Sequence, residues 1–127
     1  MEDFFVDYIK PQETGNRTET RWVSLTNNKG IGLMVQAEDM IEFNALEYTP
    51  KQLSNYLHSY MLPKSDLITL RINQKQMGLG GDNSWGAMPL SQYQIPANQE
   101  YTYTYIMKLG NFKDWDVSQS RILLPQN

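Results

Sequence analysis

The sequence predicts an all-β fold, an antiparallel β-sandwich with one short helix near residues 50–60, on three observations. Apolar and polar residues alternate with period two in several separate runs, turn-forming residues stand between those runs, and one stretch carries a convincing helix start. Many short strands joined by polar turns favour packed antiparallel layers over a parallel α/β sheet, whose strands would alternate with long helices.

Asp3-Phe-Phe-Val-Asp-Tyr-Ile9 reads as a strand already under way, so the chain is expected to start inside a larger protein. Lys10 to Asn16 is a loop, broken by Pro11 and Gly15. Val23 and Leu25 then share a face, Asn27-Asn-Lys-Gly30 supplies turn chemistry, and Ile31, Leu33, Val35 and Ala37 resume the alternation, which specifies a hairpin. Ile41, Phe43 and Ala45 predict another strand. In the helix that follows, Thr49 is the N-cap, Pro50 takes the first helical position and Gln52 completes a capping box, with Leu53, Tyr56, Leu57 and Tyr60 at helical spacing up to Pro63.

Ile68, Leu70 and Ile72 mark a strand over 66–74 that leads directly into a glycine-rich loop. In the last strand Tyr101, Tyr103, Tyr105, Met107 and Leu109 share one face, and β-branched Thr102, Thr104 and Ile106 share the other. The tyrosine stripe is read as sandwich core with its hydroxyls at the rim, and Trp22 and Trp115 as core. Residues 111–127 show no clear period, and no element is assigned to them.

At 127 residues the chain has one domain's length and can bury a sizeable core. It contains no cysteine, which excludes disulfides and thiolate metal sites. A net charge of −3 with dispersed basic residues argues against a nucleic-acid partner. No apolar run is long enough to span a bilayer, and Met1-Glu-Asp is acidic where a signal peptide would be basic. The expectation is a soluble domain with no membrane partner and no targeting signal, its compartment undecided between cytoplasm and periplasm.

Catalytic chemistry finds little support. The single histidine, His58, lies among Tyr56, Leu57 and Tyr60 on the expected helix and is read as a packing residue. The 14 acidic residues make many carboxylate pairs and distinguish none, so no catalytic residue and no metal ligand is assigned. Gly78-Leu-Gly-Gly81 lacks the Lys-Ser/Thr of a phosphate-binding loop, and Asn16-Arg-Thr18 fits a glycosylation acceptor in a pattern short enough to arise by chance.

The stretch Met77 to Pro89 holds four glycines, an Asp-Asn pair and Trp85. Glycine in that density marks a shaped loop. Small residues surround Trp85 in sequence, and its ring is either an anchor into the core or a platform offered outward; pattern alone leaves both readings open. Asp82 is read as a turn residue that bonds nearby backbone N–H groups.

Four ordered motifs resemble the carboxy-terminal domain of large bacterial β-galactosidases, retaining glycosidases of the family-two type. They are Asp7-Tyr-Ile-Lys-Pro-Gln-Glu-Thr-Gly-Asn-Arg17, Arg21-Trp22, Phe43-Asn-Ala-Leu-Glu-Tyr-Thr49 and Gln76-Met-Gly-Leu-Gly-Gly-Asp-Asn-Ser-Trp-Gly86. The resemblance implies that residues 1–110 are the second half of a supersandwich related to galactose mutarotase, with 111–127 a C-terminal extension. It also implies that the catalytic glutamates, and the Mg²⁺ and Na⁺ that the family uses, belong to a TIM barrel elsewhere, so this chain needs no cofactor and is inert alone.

By the same resemblance Trp85 is the substrate-binding residue, stacking on the sugar or its leaving group, with Gly80, Gly81, Asp82, Asn83 and Ser84 supporting the loop. Asn83 stands where the family usually has Asp, which affects a charge-based role there and leaves the ring untouched. The implied function is a fragment or subunit of an enzyme that hydrolyses terminal non-reducing β-D-galactose residues from β-galactosides such as lactose, with the TIM-barrel domains as partner. Free-standing carbohydrate-binding β-sandwich module is the alternative; a purely structural domain is a third reading. Uncovered apolar faces, such as Val23/Leu25/Ile31/Leu33 or the tyrosine stripe, further predict a homo-oligomer.

Overall fold

In the computed structural model, which describes residues 5–83 and 85–120, the fold is organised by the turn at 27–30. Asn27 Oδ1 accepts from the N–H groups of Lys29 (2.9 Å) and Ile31 (3.1 Å), and the Gly30 N–H donates to the Asn27 carbonyl at 2.9 Å. Gly30 takes φ +81°, which a Cβ disfavours, and a Cβ there would stand 2.6 Å from that of Lys113. This turn joins β1 (Arg17–Thr26) to β2 (Ile31–Leu46), the hairpin that the alternation predicts.

The strand expected around Ile41 is the second half of β2, which runs unbroken for 16 residues. Glu38, Asp39 and Met40 are exposed between buried stretches, so the hydrophobic pattern breaks where the strand does not. β1, β3 (Thr69–Asn73) and β4 (Tyr105–Asn111) all pair with β2, and among the described residues they make one four-stranded sheet. β3 lies antiparallel to the second half of β2, from Glu42 opposite Asn73 to Leu46 opposite Thr69. β4 lies antiparallel to the first half, from Ile31 opposite Asn111 to Ala37 opposite Tyr105. The described chain is thus an all-β domain with a small antiparallel sheet and one short α-helix, and it divides into two units, 5–20 with 42–73 and 21–41 with 74–120. Among the described residues, no helix is long and apolar enough to cross a membrane.

In the first unit, buried Leu46, Leu53 and Leu62 form a cluster against which Phe5, Tyr48 and Tyr56 pack. The helix α1 (Pro50–Asn55) begins as predicted: the Gln52 N–H donates to Thr49 Oγ1 at 3.3 Å, and the Thr49 N–H donates to Gln52 Oε1 at 2.8 Å. It stops after six residues, short of Tyr60. Lys10 Nζ donates to the carbonyls of Ser54 (3.0 Å) and Tyr56 (2.6 Å), satisfying acceptors that a further turn would otherwise engage. A 3₁₀ turn at Ser59–Met61 follows, Leu57 and Tyr60 are exposed, and half-buried His58 stacks on Tyr60.

The loop at 10–17 clasps this unit. Thr14 Oγ1 accepts from the Val6 N–H at 3.2 Å, buried Asn44 donates through Nδ2 to the Thr14 carbonyl at 3.3 Å, Asn16 Nδ2 donates to Glu42 Oε2 at 2.9 Å, and Glu13 pairs with Arg71. Because Val6 donates to a side chain and Tyr8 to the Val6 carbonyl, residues 5–9 run as irregular chain. The strand expected over Asp3–Ile9 is therefore absent from its described part; Asp3 and Phe4 lie outside the described residues.

In the second unit Met34, Val35, Gln36 and Ala37 are buried in succession, so β2 is covered on both faces there, while Ile31 is exposed. Gln36 is satisfied in place: its Oε1 accepts from Lys108 Nζ at 2.7 Å and its Nε2 donates to the Gln119 carbonyl at 2.9 Å. The second bond comes from the tail, which forms a 3₁₀ turn at Val117–Ser120 and sets Trp115 against Trp22, ring centroids 4.3 Å apart, both half-buried. Residues 121–127 lie outside the described residues.

The final strand is shorter and lies further along the chain than its pattern predicts, at 105–111. The Thr104 carbonyl still accepts from the Glu38 N–H of β2, in step with the Ala37–Tyr105 pair, whereas the Thr102 carbonyl is taken by Gln74 Nε2. The tyrosine stripe is not core in this chain: Tyr101, Tyr103, Tyr105, Met107 and Leu109 are all exposed, Leu109 to 86%.

Candidate functional site

Beyond β3 the chain enters the glycine-rich loop, whose base is fixed by ordinary hydrogen bonds. The Gly78 N–H donates to the Tyr93 carbonyl at 2.8 Å, Gln94 Nε2 donates to the carbonyl of buried Pro89, and a 3₁₀ turn spans Ser91–Tyr93. Nearer the tip the two limbs close on each other at Gly81. A Cβ at that position would meet the Met88 carbonyl oxygen at 2.6 Å and the Ala87 Cβ at 2.7 Å, so only glycine permits the approach.

Asn83 Oδ1 accepts from the Trp85 N–H at 2.8 Å and from the Ala87 N–H at 3.4 Å, and Gly86 takes φ +97° within that turn. Asp82 and Gly80 are exposed, and Ser84 lies outside the described residues. Trp85 is 93% exposed. The anchor reading of Trp85 fails on that figure, since its ring is not in the core of this chain.

Sequence reasoning missed how many apolar side chains accompany it. Leu79, Met77, Met88, Leu90 and Tyr93 on the same loop are all exposed, Leu79 fully. The available signal was apolar residues in a stretch with neither helical nor strand period, a setting that supplies no face to bury them. Side chains of this kind at a loop tip suit contact with another surface or with the apolar face of a sugar ring.

Asp116, in the tail, is held below the usual carboxylate range by hydrogen bonds from the backbone and side chain of Ser118. A glycosidic general acid needs a displacement of the opposite sign. Among the described residues no group of three or more His, Cys, Asp or Glu side chains comes together to hold a metal ion.

An all-β domain presenting a braced, aromatic-tipped loop is the class that this geometry defines. The profile of the family described as "Beta galactosidase small chain" matches residues 1–107, and the chain belongs to that family. It is 46% identical over 101 residues to a β-galactosidase of Priestia megaterium, covering 80% of this chain and 10% of that protein. A β-galactosidase of Halalkalibacterium halodurans is 37% identical over 106 residues, 83% of this chain and 10% of its own length. The β-galactosidase BgaC of Bifidobacterium adolescentis is 37% identical over 105 residues, 80% of this chain and 10% of its own. The matched chain thus spans about a tenth of the length of these curated relatives.

Proposed function

We propose that this chain completes the substrate site of a retaining β-galactosidase by holding Trp85 against the galactoside, while the acid and nucleophile that cleave the terminal β-D-galactose belong to a TIM-barrel partner. Mg²⁺ and Na⁺, where the enzyme uses them, bind in that partner. The observation that carries the reading is a tryptophan 93% exposed at the tip of a loop whose backbone is braced from both sides. An indole held this way gains by covering the apolar face of a pyranose, and masking ~100 Å² at ~25 cal/mol/Å² contributes at most about 2–3 kcal/mol.

Stacking of similar strength in ground and transition states acts on KM before kcat. In the assembled enzyme Trp85→Ala is therefore expected to raise KM for a galactoside with kcat largely retained. Loss of turnover at unchanged KM would overturn the assignment, and wild-type kinetics would leave the chain a structural role only. A free-standing carbohydrate-binding module shares the exposed ring, but it would bind galactose alone. Titration of the isolated chain followed by tryptophan fluorescence separates the two, with no binding expected from half a site.

The open tyrosine stripe belongs with this reading. If the sheet is one layer of a larger supersandwich, the exposed Tyr105, Met107 and Leu109 of β4, with Tyr101 and Tyr103 just before it, belong to the face a second layer would cover. In isolation that face is expected to drive self-association, giving dimers or larger species in sedimentation velocity; a strictly monomeric profile counts against it.

A further inference from the structure

We infer that Asn83 is the positioning residue for Trp85, an inference that rests on the stacking role proposed above. A ring 93% exposed has little of its own chain to lean on, so its location is set by its backbone. The glycines beside it give no side-chain support, and space around Gly80 and Gly86 is open to 4 Å. What holds the backbone at the ring is the Asn83 side-chain carbonyl, which takes the N–H of Trp85 at 2.8 Å and that of Ala87 at 3.4 Å and so spans the positive-φ Gly86.

The bond pattern requires an acceptor and no charge. An Asn carbonyl and an Asp carboxylate both meet that requirement. A side chain without an acceptor leaves two N–H groups to water and frees the residues on either side of the ring. Asn83 touches no substrate in this scheme; it acts through Trp85.

The test is a double-mutant cycle in the assembled enzyme, measuring kcat, KM and thermal midpoint with a chromogenic galactoside. Asn83→Ala is expected to raise KM about fivefold, the size of losing one local side-chain cap, with kcat nearly unchanged. Asn83→Asp restores the wild-type KM, and the double variant N83A/W85A matches W85A alone, because the first residue works through the second. A wild-type KM for N83A beside an impaired W85A overturns the inference alone, as does a double variant in which the two losses multiply. A wild-type KM for W85A overturns the stacking role and the inference with it. Equal thermal midpoints of N83A and wild type distinguish a displaced ring from a damaged fold; if N83A fails to fold, an impaired KM in well-folded N83D overturns the inference and a wild-type KM supports it.

Discussion

The clasp at 10–17 and the loop at 77–89 both carry motifs by which the family is recognised, yet the chain uses them in opposite ways. In the clasp Pro11 and Thr14 are buried, Lys10 closes the end of α1, Glu13 pairs with Arg71 and Asn16 reaches Glu42. These contacts all lie within the same unit. In the loop the hydrogen bonds serve the backbone, while the large side chains, Trp85 and Leu79, stand in solvent. A recognisable motif alone therefore does not say whether it builds the fold or presents a surface. Where its side chains find their partners does.

The sharpest way to break this contrast is to remove a large apolar side chain on the clasped side. Leu53 is 4% exposed within the Leu46/Leu53/Leu62 cluster, and Leu53→Ala is expected to cost about 2–5 kcal/mol through lost burial and the cavity left behind. The denaturation midpoint should fall at unchanged slope. A loss below about 1 kcal/mol would mean that the site collapses freely and that this cluster is not what holds the unit.

A smaller effect belongs to the helix start. Thr49→Ala removes the acceptor of the Gln52 N–H and one half of the capping box, an expected cost of about 1 kcal/mol. Thr49→Ser, which keeps the hydroxyl, should recover most of it. Equal loss in both variants would place the stabilisation in the Thr49 methyl group and not in the cap.

What was legible in the sequence is what local chemistry decides. Asn27 and Gly30 specify their turn, and Thr49, Pro50 and Gln52 specify their helix start, through atoms a few residues apart. The end of that helix was not legible, because Lys10 meets the Ser54 carbonyl across 44 residues of chain. Nor was the continuity of β2, since a solvent-exposed stretch interrupts hydrophobic alternation without ending the strand. The tyrosine stripe shows the remaining gap: period two places those side chains on one face, but whether anything covers that face depends on parts that period does not encode. For the loop, glycine density announced a shaped backbone, whereas the direction of Trp85 had to come from its exposure in the structure.

The smallest expected effect sharpens the comparison most. Trp85→Ala deletes more apolar surface than Leu53→Ala, yet in the isolated chain it is expected to change stability by less than about 0.5 kcal/mol, as for an exposed surface position. Area removed is not the relevant quantity; area that was buried is, and Trp85 buries almost none here. Matched denaturation curves for the two variants give the direct reading. A Trp85→Ala chain destabilised by 2 kcal/mol or more, about the cost of losing a buried side chain, would mean that the ring packs on its own domain in solution. The loop would then belong with the clasp, as a piece of fold. A stability unchanged in isolation, together with a raised KM in the assembled enzyme, is a combination that a residue serving only its own fold does not produce, and it identifies Trp85 as a side chain the domain carries for a surface outside itself.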